Sequence, residues 1–326
     1  MVFVGLALGL ILLVGGGMLL VTGGSRLASW LGVSPVVIGL IVLGFGTSAP
    51  ELVVNVSGAI RGESGLVFGN VIGSNIANLA LILGVSAIVG KLEIRGSLVR
   101  REVTLLLLVS SIITVMALDS PLEGAVPAIG RSDAIILFVL FGIFIFMTAR
   151  DAVAAAPSDP LVTEISENPM IETRPSALPA GLSVLGGLLL LFAGSELTIR
   201  SAVSLSDLLG VSPTLVGLFV VALGTSVPEL VTSVIAIIYK ESDLAVGNVV
   251  GSNLFNSLVV LPAGGLIDPI VIPNGGLSDL VFSWLLTAAL IPIFIFGKAR
   301  LGRGTGSLLL GAYIVYAGLR FTTGPA

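Results

Sequence analysis

The sequence lacks cysteine and histidine altogether, and it has few charged residues. Only 10% of its 326 residues are charged, against roughly 25% in an average soluble domain. The absence of Cys excludes disulfides, thiolate metal sites and Cys nucleophiles, and the absence of His excludes imidazole metal sites and Ser–His relays. The net charge of −4 comes with no basic patch, so nucleic-acid binding has no electrostatic basis.

Apolar residues, in contrast, are abundant. They make up 55% of the chain, and the mean hydropathy is +1.14, which predicts an all-α protein that crosses a membrane many times. A helix of about 20 apolar residues crosses the hydrocarbon core of about 30 Å. Ten apolar segments predict ten transmembrane helices, at 2–25, 33–60, 64–90, 102–118, 134–149, 179–205, 211–239, 244–267, 279–297 and 305–319.

The distribution of Lys and Arg predicts how these ten spans are oriented. One side of the membrane collects eleven of these residues, namely Arg26, Lys91, Arg95, Arg100, Arg101, Arg150, Arg174, Lys240, Lys298, Arg300 and Arg303. The other side has four, Arg61, Arg131, Arg200 and Arg320. Because cytoplasmic loops carry the excess of positive charge, we expect a cell-membrane protein with both termini outside.

The longest polar stretch divides the chain into two halves. Residues 150–178 are rich in Pro and in acidic and small residues, which is typical of an unstructured connector. We therefore predict a first five-helix unit at 1–149, an acidic cytoplasmic linker at 150–178 and a second five-helix unit at 179–326.

The two halves contain a repeat. Residues 31–80 align with 209–258 without gaps, and 27 of the 50 positions are identical. Three motifs recur: Leu-Gly-Val-Ser-Pro at 31–35 and 209–213, Gly-Thr-Ser-x-Pro-Glu at 46–51 and 224–229, and Gly-Asn-Val-x-Gly-Ser-Asn at 69–75 and 247–253. Since each half has an odd number of predicted spans, the second copy enters the membrane from the opposite face. The sequence therefore predicts two inverted repeats.

The Gly-Thr-Ser-x-Pro-Glu motif predicts an interrupted helix in each copy. Proline has no N–H group and clashes with the preceding turn, so carbonyls upstream of Pro50 and Pro228 lose their helical partners. Such carbonyls are tolerated in a membrane only where they face a cavity or an ion. Inverted-repeat transporters place their substrate site near the midplane, on interrupted helices of this kind.

Glu51 and Glu229 are the acids placed deep within predicted spans, at equivalent positions of the repeat. An ionisable residue there indicates a functional site, and two carboxylates supply a charge of about −2 that one divalent cation neutralises. Thr47 and Ser48 precede Glu51 by four and three residues, so they share its helical face. Ser74 and Asn78 lie four apart on the next span, and the second copy repeats the pattern with Thr225, Ser226, Glu229, Ser252 and Asn256. This all-oxygen donor set favours hard cations such as Ca²⁺ and Na⁺.

Each of these features has a structural alternative. The two glutamates could be protonated and bonded to neighbouring hydroxyls, and the Ser and Thr side chains could bond their own helix backbone. Gly65, Gly69 and Gly73, like Gly247 and Gly251, favour close helix packing whatever the function. Close packing is compatible with an ion site, because it brings Ser74 and Asn78 against the helix of Glu51.

At these residues the chain resembles the cation/Ca²⁺ exchanger superfamily, most closely its prokaryotic Na⁺/Ca²⁺ exchanger branch. The resemblance covers nearly the whole chain, and the paired motifs are highly specific. It implies a ten-helix fold in which the second, third, seventh and eighth helices form the ion-binding core. The first and sixth helices are then implied to slide across this core and alternate access, with three Na⁺ exchanged for one Ca²⁺.

The resemblance also implies a ligand set. Glu51 and Glu229 bind Ca²⁺ and contribute to Na⁺ sites, while Asn78 and Asn256 lie between them. Further Na⁺ oxygens come from Thr47, Ser48, Ser74, Thr225, Ser226 and Ser252, and from the carbonyls of Gly44, Thr47, Ala222 and Thr225. K⁺-dependent relatives carry Asp at position 256, where this chain has Asn, which disfavours K⁺ dependence. Proton exchangers of the superfamily usually place their acid after Gly-Asn-Ala, which favours Na⁺ coupling here.

We therefore expect a secondary antiporter that couples Na⁺ entry to Ca²⁺ extrusion, is electrogenic if a third Na⁺ binds, and functions as a monomer in the lipid bilayer. Ca²⁺ and Na⁺ are its cargo, and no resident cofactor is expected. An exchanger of H⁺ for Ca²⁺ or another divalent cation stays open, since the same glutamates could carry protons. A passive channel is disfavoured because channels usually build their pore from rings of subunits. An intramembrane enzyme would need His, Cys or paired Asp, so we expect no enzymatic activity.

Overall fold

The computed structural model describes residues 2–33, 35–93, 97–118, 126–155, 176–208, 222–296 and 300–323. The first half contains α1 Val2–Leu31, α2 Pro35–Thr47, α3 Ala49–Ile60, α4 Ser64–Val89, β1 Leu92–Glu93, α5 Ser97–Met116, β2 Ala128–Ile129 and α6 Arg131–Ala155. The second half contains α7 Ala177–Leu208, α8 Ala222–Thr225, α9 Val227–Ile238, α10 Ser242–Ile267, β3 Ile270–Val271, α11 Gly276–Phe296, β4 Arg300–Leu301 and α12 Arg303–Thr323.

Five of the described helices are long and apolar enough to cross a membrane: α1, α4, α6, α7 and α10. The bent pair α2–α3 makes a sixth if it counts as one span. Large apolar side chains such as Phe3, Phe146 and Leu308 are exposed on the outer surface, where they match lipid rather than water. The chain is thus a helical, multi-pass membrane protein, and the number of ten spans stays a prediction.

Helices extend into both ends of the predicted linker at 150–178, because α6 continues through Ala155 and α7 begins at Ala177. Residues 156–175 and the second Leu-Gly-Val-Ser-Pro motif at 209–213 lie outside the described residues.

α4 and α10, the equivalent helices of the two repeats, form the centre of the molecule. In the most apolar 18 residues of each helix, 78% of α4 and 89% of α10 is buried inside the protein, against 22% of α6. Each has a π-helical stretch, Ala77–Ile82 in α4 and Asn256–Val260 in α10. A π-helical stretch widens the helix and is frequent at functional sites.

The helix is interrupted in both copies, as the motif predicts. The breaks fall at Ser48 and Ser226, whose φ/ψ values of −86°/8° and −90°/4° are nearly equal. Pro50 and Pro228 lie in the first turns of α3 and α9, a position that tolerates proline because the first N–H groups have no helical acceptor. In the first copy, α2 and α3 meet at an angle of 43°.

Glycines bring α2 and α10 into backbone contact. A Cβ atom added to Gly44 would lie 2.8 Å from the Ser252 nitrogen, and one added to Gly247 would lie 3.0 Å from the Gly39 Cα. Close packing through Gly247 and Gly251 is thereby confirmed. Gly65, Gly69 and Gly73 have no heavy atom of the described residues within 4 Å of an added Cβ, so close packing in the first copy is not seen in that part of the chain.

Two short strand pairs, which the all-α prediction did not include, join the halves. β1 of the first half pairs with β4 of the second, with Leu92 opposite Leu301. β2 of the first half pairs with β3 of the second, with Ala128 opposite Val271. Strands of two residues are too short to show an alternating pattern in the sequence, and their partners lie far apart in the chain.

The turn before α10 contains a residue in a left-handed conformation. Lys240 has a φ of 63°, and its repeat equivalent Gly62 has a φ of 72°. Glycine adopts this conformation without a steric penalty, whereas a residue with a Cβ atom does so at a cost of roughly 1 kcal/mol or more. The second copy therefore carries strain that the first copy avoids.

We predict that Lys240→Gly stabilises the protein by about 1 kcal/mol, because it removes this strain. The change is measured as a rise in the midpoint of thermal unfolding, followed by the fluorescence of Trp30 and Trp284. The reverse exchange, Gly62→Lys, is the matched control and is expected to lower the midpoint. A lower midpoint for Lys240→Gly would contradict the prediction. It would show that the Lys240 side chain stabilises the fold by more than its left-handed backbone conformation destabilises it.

Candidate ion-binding site

The two glutamates of the repeat lie at the helix breaks and face one site. Glu51 is in the first turn of α3 and Glu229 in the first turn of α9, where the positive end of the helix dipole favours a carboxylate. Their side chains are 0% and 1% exposed. Ser48, three residues before Glu51, donates a hydrogen bond of 3.0 Å to Oε1 of Glu229. Ser48, at the helix break of the first repeat, thus binds the glutamate of the second repeat.

The predicted hydroxyl residues surround this pair. Ser252 donates to the carbonyl of Gly44 at 3.1 Å, so α10 reaches one of the predicted carbonyl ligands. The Oγ atoms of Ser226 and Ser74 are 3.4 Å apart, which joins α4 to the second break. Thr47 donates to its own helix at the Leu43 carbonyl, at 2.9 Å. The same Oγ1 atom of Thr47 lies 3.3 Å from Oδ1 of Asn248 on α10, so it contacts its own helix and also faces the second repeat.

The predicted asparagines lie in the π-helical stretches of α4 and α10. Asn78 donates through Nδ2 to Oδ1 of Asn253 at 3.1 Å, and its own Oδ1 accepts nothing from the described residues. Asn256 is fully buried, and both of its amide atoms lack a partner in the same part of the chain. Ala222 begins α8, next to the second break.

Several buried oxygens converge without hydrogen-bond donors. Both carboxylate oxygens of Glu51, Oε2 of Glu229 and Oγ1 of Thr225 have no partner among the residues that the structure describes. None of the ion pairs in those residues includes Glu51 or Glu229. A buried charge without a partner costs several kcal/mol. These atoms fit a cation bound between the repeats, and the all-oxygen set suits Ca²⁺ or Na⁺.

Among the described residues, no three His, Cys, Asp or Glu side chains lie close enough together to hold a metal ion. The site charge there therefore comes from the two glutamates, and the remaining oxygens are neutral.

Two further asparagines, which the sequence did not predict as part of the site, support the two glutamates. Asn70 donates to the backbone carbonyl of Glu51 at 3.3 Å, and Asn248 donates in the same way to the carbonyl of Glu229 at 3.3 Å. Each asparagine also donates to a side chain one turn after the glutamate on the same helix: Asn70 to Asn55 of α3 at 2.7 Å, and Asn248 to Ser233 of α9 at 3.0 Å. Both occupy the same place in Gly-Asn-Val-x-Gly-Ser-Asn, so their duplication was the available signal.

The fold defines a class, a multi-pass membrane protein, and the site has the buried all-oxygen donor set that suits a hard cation. The family described as "Sodium/calcium exchanger protein" matches residues 1–150 and 180–322. The chain therefore belongs to the sodium/calcium exchanger family, a family of transporters, and its activity is cation/Ca²⁺ exchange.

Individual relatives are similar over nearly their whole length. Inner membrane protein YrbG of Escherichia coli is 32% identical over 330 residues, which cover 98% of this chain and 97% of the relative. Sodium/calcium exchanger MaX1 of Methanosarcina acetivorans is 28% identical over 340 residues, which cover 96% of this chain and 97% of the relative. A solved structure of the sodium-calcium exchanger NCX_Mj, soaked with Na⁺ and Ca²⁺, has a TM-score of 0.83 and 27% identity, with 100% of this chain and 99% of that chain covered.

Proposed function

We propose that this protein is a Na⁺/Ca²⁺ antiporter that works by alternating access. The observation that carries the proposal is the buried pair Glu51 and Glu229, held at the two helix breaks with three of four carboxylate oxygens unpartnered among the described residues. The names of MaX1 and NCX_Mj, which both state sodium and calcium, support the same cargo for this chain.

The charge of the site explains why such a protein exchanges ions rather than leaking them. One Ca²⁺ or two Na⁺ neutralise the two carboxylates, so either load removes the charge that would face hydrocarbon. An empty site keeps both charges, and a buried carboxylate without a partner costs several kcal/mol. The loaded core therefore crosses between its two states and the empty core does not.

A third Na⁺ makes the cycle electrogenic. Exchange of three Na⁺ for one Ca²⁺ moves one net charge, and 100 mV then contributes about 2.3 kcal/mol per cycle. The neutral oxygens around the glutamates provide the additional ligands. The proposed ligand set is Glu51, Glu229, Thr47, Thr225, Ser48, Ser226, Ser74, Ser252, Asn78 and Asn256, with the carbonyls of Gly44, Thr47, Ala222 and Thr225.

The proposed architecture is two inverted five-helix repeats, at 1–149 and 179–326, joined by a cytoplasmic linker at 150–178. The equal geometry at Ser48 and Ser226 and the mirrored hydrogen bonds of Asn70 and Asn248 support it. The excess of Lys and Arg on one side of the predicted spans supports a cell-membrane protein with both termini outside. Because the duplicated core contains both glutamates within one chain, we propose that a monomer is sufficient for transport.

The experiment that tests the proposal is Ca²⁺ uptake into proteoliposomes under imposed ion gradients. We expect an outward Na⁺ gradient to drive uptake, and equal gradients of K⁺ or H⁺ to drive none. Uptake that ignores Na⁺ and follows a proton gradient would establish the H⁺/Ca²⁺ alternative instead.

The same vesicles test the third Na⁺. With three Na⁺ leaving for each Ca²⁺ that enters, the vesicle interior loses positive charge, so a potential that is positive inside is expected to accelerate uptake. The potential is set with valinomycin and a K⁺ gradient. Uptake that is independent of the membrane potential would contradict the electrogenic cycle. It would indicate an electroneutral exchange of two Na⁺ for one Ca²⁺ instead.

A further inference from the structure

The packing identifies which boundary in the molecule can move. α1 and α7 touch backbone to backbone, since a Cβ atom added to Gly16 would lie 2.8 Å from the Leu191 nitrogen. α1 meets the core helices through side chains instead: a Cβ atom added to Gly17 would meet Cδ1 of Ile235 at 2.7 Å. Side chains can change rotamer and backbones cannot. The boundary between the α1–α7 pair and the core is therefore the one that deforms most easily.

One side-chain hydrogen bond crosses this boundary near the end of α1. Ser25 donates to Oε1 of Glu241 at 2.9 Å. Glu241 immediately precedes α10, and its side chain makes no capping hydrogen bond to that helix. Two other hydroxyls of α1, those of Thr22 and Ser29, donate to carbonyls of their own helix. The register of α1 against α10 thus decides whether Ser25 reaches Glu241.

Glu241 also lies between two cavities. A cavity of about 360 Å³ is lined by Thr22, Ser25, Arg26 and Glu241, among others. A second cavity of about 530 Å³ is lined by Lys91, Lys240 and Glu241 among others. The side chain of Glu241 thus contributes to the walls of both cavities.

The repeat places the same acid at the other end of the molecule. Glu63 is the equivalent of Glu241 and immediately precedes α4, with a similar backbone conformation. Its side chain is exposed and makes no hydrogen bond to the residues that the structure describes. The two ends therefore differ within the described residues: Glu241 is hydrogen-bonded to α1, and Glu63 has no hydrogen-bond partner there.

We propose that Ser25 and Glu241 form a latch that holds α1 against α10 and closes the cytoplasmic mouth, and that Glu63 closes the outer mouth in the opposite state. The inference rests on the alternating access proposed above. Ser25, Glu241 and Glu63 are positioning residues, because they act on the access of the site and not on the ion.

The latch is tested by measuring the distance between two spin labels. The chain has no Cys, so labels attach only at Leu31→Cys and Ile238→Cys, two exposed positions at the ends of α1 and α9. We expect two populations of label distances, one for the latched and one for the unlatched state. Ser25→Ala removes the donor and is expected to raise the ratio of the unlatched to the latched population about tenfold, as for loss of one hydrogen bond to a charged group. Glu241→Gln keeps an acceptor oxygen and is expected to change the ratio less.

Two controls separate a latch from a merely structural contact. Ser29→Ala removes a hydroxyl that bonds within α1 and should leave the ratio unchanged. Glu63→Ala is expected to shift the ratio in the opposite direction to Ser25→Ala. The latch is overturned if Ser25→Ala behaves like Ser29→Ala, or if Ser25→Ala and Glu63→Ala shift the ratio the same way. No ion gradient is imposed, so this result is independent of whether Na⁺ or H⁺ drives transport.

Discussion

Glu51→Gln and Glu229→Gln are each expected to reduce Na⁺-driven Ca²⁺ exchange by on the order of a hundredfold, since an interaction with a charged group contributes about 1.5–3 kcal/mol. Glutamine keeps one oxygen donor but removes one of the two site charges. Each carboxylate is almost fully buried and bears unpartnered oxygen among the described residues, so water cannot replace the lost charge. Exchange is measured in proteoliposomes with a Na⁺ gradient.

The folded protein should survive both substitutions. Removing a buried, unpaired charge relieves its desolvation cost, so without added ions the thermal midpoint is expected to stay equal or rise. A ligand that binds the folded state raises the midpoint, and the rise caused by Ca²⁺ is expected to disappear in both variants. Unfolding of the variants at the temperature of the assay would make loss of transport uninformative, and the midpoint detects this.

Glu196→Gln is the matched control for these variants. Its carboxylate is largely exposed and pairs with Arg200 within α7, so its replacement should leave both exchange and the Ca²⁺ effect unchanged. If Glu51→Gln and Glu229→Gln each retained exchange at the level of Glu196→Gln, the site assignment would be wrong.

Gly251→Ala is expected to destabilise the protein and to abolish most of its transport. A Cβ atom at Gly251 would lie 2.7 Å from the Cα of Leu40, and backbone atoms of α2 cannot give way as a side chain can. Overpacking of this kind costs about 1–3 kcal/mol. The displaced α10 would also lose the bond from Ser252 to the carbonyl of Gly44. The measurements are the midpoint of thermal unfolding and Ca²⁺ exchange at a temperature where the variant is folded.

Gly142→Ala provides the comparison for this prediction. Gly142 lies within α6, and an added Cβ atom would meet no heavy atom of the described residues within 4 Å. Because Ala favours a helix over Gly by roughly 1 kcal/mol, the midpoint should stay equal or rise, with exchange unchanged. Equal effects of the two substitutions would show that helix propensity, and not the approach of α2 and α10, governs the result.

The sequence predicted Glu51 and Glu229 as the acids of the site, because charge is rare in this chain and both residues are duplicated. The structure buries both of them, each in the first turn after a helix break. The sequence predicted the helix breaks for a local reason, since Pro50 and Pro228 cannot continue a helix. It did not predict which hydroxyl faces which acid. Thr47 and Ser48 are neighbours in the chain, yet Thr47 bonds within its helix and Ser48 bonds to Glu229.

The supporting asparagines and the short strands were missed for different reasons. Asn70 and Asn248 lie within a motif that the repeat displays, but their role is to bond the backbone carbonyls of the glutamates, 19 residues away in the chain. Strands β1 to β4 pair between the halves, and no local pattern indicates such partners.

The scarcity of charge, the absence of His and Cys, and the repeat determined by themselves that this is a membrane protein with a duplicated acid, and they predicted a site for hard cations there. These properties follow from composition and local spacing, which the chain carries in any conformation. The tertiary structure decided how the halves meet: Ser48 against Glu229, Gly44 against Ser252, and Ser25 against Glu241. Those contacts join residues about 180 to 216 positions apart, and only the packing of whole helices brings such residues together.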